Sequence, residues 1–249
     1  MIEIQNVFKS YGGIQALEDL NLHVAPGEIF ALLGPNGAGK TTTIKLLCGL
    51  LFPDQGTIRV AGIDVLRDSI EAKKKIGLIP DEPYVYPKLT AWEFLELIAG
   101  IYKLDNGWAG KAEHYLELFE LGSVVRAKRL LESFSHGMKQ KVVFTSVLMR
   151  ESSVWLLDEP LVGLDPKSIR AVRQLIVDHA RQGGAVLVST HVLSLAEEVA
   201  HKIGIITDGR LRFVGTKKEL GDSLHGQNTG ISHNGDLEEM FLKATLKST

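Results

Sequence analysis

The chain has 249 residues, 45% of them hydrophobic, with a formal net charge of −2 and a single cysteine. That length buries a sizeable core in one or two domains, and the near-neutral charge gives no global attraction to nucleic acid or anionic lipid. The lone Cys48 excludes an internal disulfide and reads as a small buried hydrophobe, and no apolar run approaches the ~18 residues that span a bilayer. The start Met1-Ile2-Glu3-Ile4-Gln5 does not read as a signal peptide, so a cytoplasmic location is expected, with any membrane role exercised through a partner.

Ile2 to Val7 alternates like a half-buried strand, as does Leu20 to Val24 before the turn Pro26-Gly27-Glu28. Between them Tyr11-Gly12-Gly13 is a turn carrying an aromatic, whose ring either packs or offers a face to a base. Ile29-Phe30-Ala31-Leu32-Leu33 is short and fully apolar, as a buried parallel strand should be. It leads into Gly34-Pro35-Asn36-Gly37-Ala38-Gly39-Lys40-Thr41-Thr42 and then a helix. This is the G-x-x-x-x-G-K-[ST] phosphate loop in its required strand–loop–helix setting. The glycines let consecutive N–H groups turn inward around phosphate oxygens, and the helix start adds the positive end of its dipole. Lys40 supplies a point charge for the β/γ-phosphates, and the Thr41 hydroxyl an oxygen for Mg²⁺.

Beyond the turn at Phe52-Pro53-Asp54-Gln55-Gly56, residues 57–65 predict a short hairpin. Lys73-Lys74-Lys75 reads as a solvated helix end ahead of the strand Ile76-Gly77-Leu78-Ile79. From Thr90 to about Leu131 the apolar residues recur at helical spacing, a helical insertion in an α/β chain, with Trp108 between Gly107 and Gly110 read as a loop residue. Ser135 or its neighbour caps a further helix with the apolar residues Val142, Val143, Val147 and Leu148. Strands at Val154 to Leu157 and Ala185 to Ser189, helices at Ser168 to Arg181 and Leu193 to Ala200, and a hairpin turn at Asp208-Gly209 complete the alternation that predicts a largely parallel sheet. Gly221 to Gly235 reads as a mobile loop before a final helix, Leu237 to Leu246, and His225 and His233 lack metal-ligand spacing.

In Leu156-Leu157-Asp158-Glu159-Pro160 an apolar strand ends in two carboxylates. Successive strand side chains point to opposite faces, so both serve one site only if the strand breaks between them, which Pro160 favours. Asp158 then suits Mg²⁺, and Glu159 suits activation of an attacking water.

Taken together, these stretches resemble the ATP-binding subunits of ABC transporters, in motif order and spacing from Ile2 to about Phe241. Phe134-Ser135-His136-Gly137-Met138 is similar to the ABC signature, Gly163-Leu164-Asp165-Pro166 to the D-loop, and His191 to the switch histidine. Tyr11 is similar to the A-loop aromatic, and Ile76 to Asp81 to the Q-loop. The stretch Ile79 to Pro83, with Tyr86 to Thr90, looks most like the bacterial exporter and Ecs-type subclass.

The resemblance implies a P-loop NTPase core with an N-terminal antiparallel β subdomain. An α-helical subdomain at about 88–150 is inserted in an ATPase domain over 1–221, followed by the loop and helix of 222–249. It further implies ATP and Mg²⁺ as ligands, held in cis by the phosphate loop, Asp158 and, as a further metal candidate, Asp81. Ser135 and Gly137 would close the site from a second copy or a second ATPase subunit, with Glu159 activating water and His191 touching the γ-phosphate. The partner would be a separate membrane permease, met at the inner face of the membrane, and no nucleic acid.

Three positions depart from the family pattern. His136 replaces the signature's first glycine, Asp81 stands at the family's glutamine, and Val162 stands where the D-loop often carries serine. A DNA-repair ATPase head would need a long coiled coil between Asp81 and Ser135. Control of a membrane protease or cell-division complex, without solute movement, is not separable from export by sequence.

Overall fold

The computed structural model describes residues 1–225 together with Leu237 and Phe241. Two sheets form around the phosphate loop. β1 (Ile2–Tyr11), β2 (Ile14–Val24), β4 (Gln55–Val60) and β5 (Ile63–Asp64) make an antiparallel sheet in the order β2-β1-β4-β5. Its alternating apolar residues Ile2, Ile4, Leu20, Leu22, Ile58 and Val60 are buried, and they share a core with Ile44 and Leu47 of α1 (Lys40–Leu47).

The second sheet has six strands in the order β10-β9-β3-β8-β7-β6. β6 (Ile76–Ile79), β7 (Val154–Asp158), β8 (Ala185–Thr190), β3 (Ile29–Leu33) and β9 (Lys202–Thr207) run parallel, and β10 (Arg210–Gly215) closes the edge antiparallel. Every residue of β3, β7 and β8 is buried, which explains their unbroken apolar runs. Because these strands are parallel, the segments that follow them emerge at one edge of the sheet, where ligands bind in open α/β folds. In register, Leu33 pairs with Thr190 and Asp158 with Ser189. The phosphate loop, Glu159 and His191 are thereby brought side by side.

α2 (Ser69–Lys75) ends in the three lysines and buries Ala72 in the same core as α1. α7 (Pro166–Arg181) and α8 (Leu193–Val199) cover the other face. Between β6 and β7 lie α3 (Ala91–Tyr102), α4 (Trp108–Leu118), α5 (Gly122–Arg126) and α6 (His136–Leu148). A capping box between Thr90 and Glu93 starts α3, and Phe119 packs on Phe144 of α6 with ring centroids 5.9 Å apart.

Two sequence expectations are corrected. Trp108 is the first residue of α4, not a loop residue, and its ring lies 5.3 Å from that of Trp92 on α3. A tertiary ring contact thus overrides the two flanking glycines. The expected loop from Gly221 also gives way, because α9 (Lys217–His225) runs through Gly221. Leu220 and Leu237 are buried against Ala196, Ile203 and Ile205, with Phe241 packed on the same cluster. The remainder of the expected Gly221–Gly235 loop (226–235) and of the 237–246 helix, including His233, lies outside the described residues.

Candidate functional site

The phosphate loop is shaped by backbone conformations that a side chain would resist. Gly37 and Gly39 have φ of 81° and 109°. A Cβ at Gly39 would lie 2.8 Å from the Ala16 carbonyl oxygen, whereas above Gly37 there is open space for a ligand. Ala38 is fixed through its backbone, donating to the Pro35 carbonyl at 3.2 Å and accepting from the Gly209 N–H at 3.1 Å.

Lys40 opens α1 and is almost fully buried. Its ammonium folds back on the loop, donating to the Gly34 carbonyl at 2.7 Å and the Pro35 carbonyl at 3.1 Å. Burial pulls its pKa below the usual value, against the charges of Glu159 and Asp158. The Thr41 hydroxyl donates to Asp158 Oδ2 at 2.9 Å. Burial raises the Asp158 pKa, the neighbouring Ser189 hydroxyl and the bond from Thr41 oppose the rise, and the charges of Asp81 and Glu159 add to it.

These groups line one cavity of about 160 Å³, with walls from Asn36, Gly37, Gly39, Lys40, Thr41, Thr42, Asp81, Asp158 and Glu159. Three carboxylates thus face one ammonium. A hard divalent cation held by oxygen fits this donor set, with the Thr41 hydroxyl and the Asp158 and Asp81 carboxylates as its ligand candidates. The cavity is smaller than the ~300 Å³ typical of pockets that enclose a small ligand.

Glu159 begins where β7 stops. Its φ of 46° breaks the strand as the Asp158–Glu159 pairing requires. Its N–H donates to the Ser189 carbonyl at 2.9 Å. The carboxylate turns toward the end of β8, where Oε2 accepts from the Thr190 hydroxyl at 2.9 Å. Oε1 accepts the His191 N–H at 3.0 Å and lies 2.7 Å from His191 Nδ1. Ser189 and Thr190 were not singled out in the sequence; their only signal is their position at the end of a buried strand, just before His191.

Tyr11 ends β1 with its ring half-exposed and the Lys9 ammonium 5.5 Å from the ring centroid. It does not line the phosphate cavity. Ser135, Gly137 and Asp165 do not line it either, and they form a cluster of their own. Ser135 caps α6 by accepting from the Met138 N–H at 3.3 Å. Gly137 lies so close to Gly163 that a Cβ would fall 2.1 Å from the Gly163 carbonyl oxygen. Asp165 caps α7, accepts from the Ser168 hydroxyl at 2.7 Å and pairs with the nearly buried Lys141 of α6 at 2.6 Å. That lysine first, and the Ser168 bonds next, hold its carboxyl far below the usual range.

Comparisons with known proteins agree with this geometry. Residues 17–162 match the protein family described as ABC transporter. The chain is 36% identical over 245 residues to the linearmycin resistance ATP-binding protein LnrL of Bacillus subtilis, covering 98% of this chain and 78% of that protein. It is 39% identical over 211 residues to the SkfA peptide export ATP-binding protein SkfE of the same species, covering 85% and 87%. Its fold is similar to that of a solved ATP-binding subunit of an ABC transporter, with a TM-score of 0.91 at 31% identity over 98% of this chain and 99% of that one. A dimeric ATP-binding cassette in a post-hydrolysis state, bound to ADP and Pi, has a TM-score of 0.77 at 28% identity, covering 87% and 98%.

Proposed function

The chain belongs to the ABC transporter family, as a subunit that binds and hydrolyses ATP, and from that premise we propose that it powers an export permease from the inner face of the membrane. No helix among the described residues is long and apolar enough to cross a membrane, and in this reading a separate permease builds the translocation path. The names of relatives support export: one is a peptide export subunit, another, of Enterococcus faecalis, a bacitracin transport subunit.

The observation that carries the reading is the separation of two clusters, the phosphate cavity with Asp158 and Glu159, and the signature with Asp165. ATP sits on the first cluster of one copy and is closed by Ser135 and Gly137 of a second, with Tyr11 stacked on the adenine. Gly34 to Thr42 wrap the phosphates, and Lys40 exchanges its loop carbonyls for the β/γ-phosphates. Thr41 and Asp158, with Asp81 near them, would hold Mg²⁺, which when bound would offset charge on the phosphate oxygens. Glu159 takes a proton from water as the water oxygen bonds to the γ-phosphorus. The bond from that phosphorus to the bridging oxygen breaks, and ADP leaves with the electron pair. His191 turns from Glu159 to the γ-phosphate, freeing Oε1 to accept the proton.

Sedimentation tests this. Glu159→Gln should be monomeric without nucleotide and dimeric with MgATP, and adding Ser135→Arg should prevent the dimer. A dimer that ignores both nucleotide and Ser135→Arg overturns the reading.

A further inference from the structure

α6 carries the signature at its first turn and lies directly on β6. A Cβ at Gly77 of that strand would come within 2.5 Å of the Val147 side chain. Two side chains fasten the pair. Arg150, just past the helix, donates from Nη2 to the Ile76 carbonyl at 2.5 Å, and Gln140 donates from Nε2 to the Pro80 carbonyl at 3.2 Å. Ten residues of helix rise ~15 Å and four of strand ~13 Å, so the two bonds hold opposite ends of the same contact.

The bonds differ in what surrounds them. Arg150 also lies over the Tyr102 ring at 3.8 Å, a packing role within the helical block. Gln140 is completely buried, its Oε1 has no partner among the described residues, and its Nε2 bond goes to the residue that precedes Asp81. An orphaned buried acceptor costs ~1–3 kcal/mol, and an apolar side chain of similar size would avoid that cost. Stability therefore does not account for an amide at this position. Next to it, Lys141 reaches the other way, to Asp165. The first turns of α6 are thus held between the segment bearing Asp81 on one side and the segment bearing Asp165 on the other.

We infer that Gln140 is a positioning residue that transmits the position of the Pro80–Asp81 segment, a wall of the phosphate cavity, to Ser135 and Gly137 at the start of the same helix. Loading of a chain's own phosphate cavity thereby sets the angle at which that chain offers its signature to a second copy. The inference rests on the two-copy site proposed above.

Gln140→Met keeps the volume and removes the donor. Binding of a fluorescent ATP analogue to the isolated chain should stay within about twofold of the parent and the melting temperature should not fall, while kcat drops about tenfold, one hydrogen bond's worth, with KM unchanged. In the Glu159→Gln background the same substitution should weaken the MgATP-driven dimer. Gln140→Glu supplies the donor only when protonated, so its kcat relative to the parent should recover as pH falls from about 8 to about 6. Parental kcat and dimerisation in Gln140→Met overturn the inference, as does a loss in which melting temperature, KM and kcat move together. Failure of Glu159→Gln alone to dimerise with MgATP overturns instead the two-copy reading beneath it.

Discussion

His191 meets Glu159 twice at one oxygen, with its ring Nδ1 2.7 Å from Oε1 and its backbone N–H donating to the same atom at 3.0 Å. An amide at 159 keeps the shape and can still accept the backbone N–H, but it cannot take a proton from water. Glu159→Gln should therefore bind MgATP as the parent does and turn over about a hundredfold more slowly, since loss of a group acting in the transition state costs roughly 3 kcal/mol. Hydrolysis at the parental rate would remove Glu159 from the proton-transfer role.

Among the described residues, Lys40 is the only cationic side chain lining the phosphate cavity, against three carboxylates. Lys40→Ala leaves those carboxylates facing a triphosphate without a counter-charge. The expected loss of MgATP affinity is on the order of 3–5 kcal/mol, a hundredfold or more, as for breaking a buried charge pair. Titration calorimetry on both proteins measures it, and equal affinities would contradict a phosphate role for the ammonium.

Asp81 shares the cavity with Asp158 and adds to the rise in its pKa. A carboxylate is shorter than the family's glutamine, so its expected part is to link the site to the membrane subunit, with any metal contact made through water. Asp81→Asn should leave ATP affinity of the isolated chain nearly unchanged and weaken the stimulation of hydrolysis by the permease in lipid. A large affinity loss with stimulation intact would make Asp81 a direct metal ligand.

Far from the phosphate loop, His179 of α7 stacks flat on Trp155, 4.0 Å between ring centroids. Burial pulls its imidazole down to about 4, opposed by a bond with the Ser153 backbone. Between that value and the unfolded value near 6.5 the unfolded chain binds a proton that the native one does not, so stability is full above about pH 6.5 and falls as pH drops. Allowing for the ring's partial exposure, the loss by about pH 5 should be on the order of 1–2 kcal/mol. His179→Phe keeps the stack without titrating, and denaturant melts at the two pH values should show a smaller fall. An equal fall in both proteins would place the titration elsewhere.

Ile29 to Leu33 reads in the sequence as a buried parallel strand and forms β3 from end to end, because a short all-apolar run followed by a glycine-rich turn has few other ways to fold. The strand break at Glu159 is legible for a similar reason, since two adjacent carboxylates and a proline leave the chain little choice. Trp108 and Gly221 mislead because glycine signals loops locally, while packing across the helical block and against Ala196 decides the outcome. Gln140 and Lys141 carry no local signal, and Ser189 and Thr190 only their place at the end of a buried strand. Their partners lie 60, 24 and 31 residues away for Gln140 to Pro80, Lys141 to Asp165 and Thr190 to Glu159, and only the folded sheet brings them together.

The phosphate cavity of about 160 Å³ is walled by neither Ser135 nor Gly137 of its own chain. If a second copy supplies those walls, the isolated chain is an enzyme whose specific activity rises with its own concentration and fades on dilution. A permease that carries two copies side by side replaces that dependence with a fixed local concentration, in the millimolar range for short tethers. ATP consumption would then be confined to assembled transporters, and free subunits would idle without any separate inhibitor.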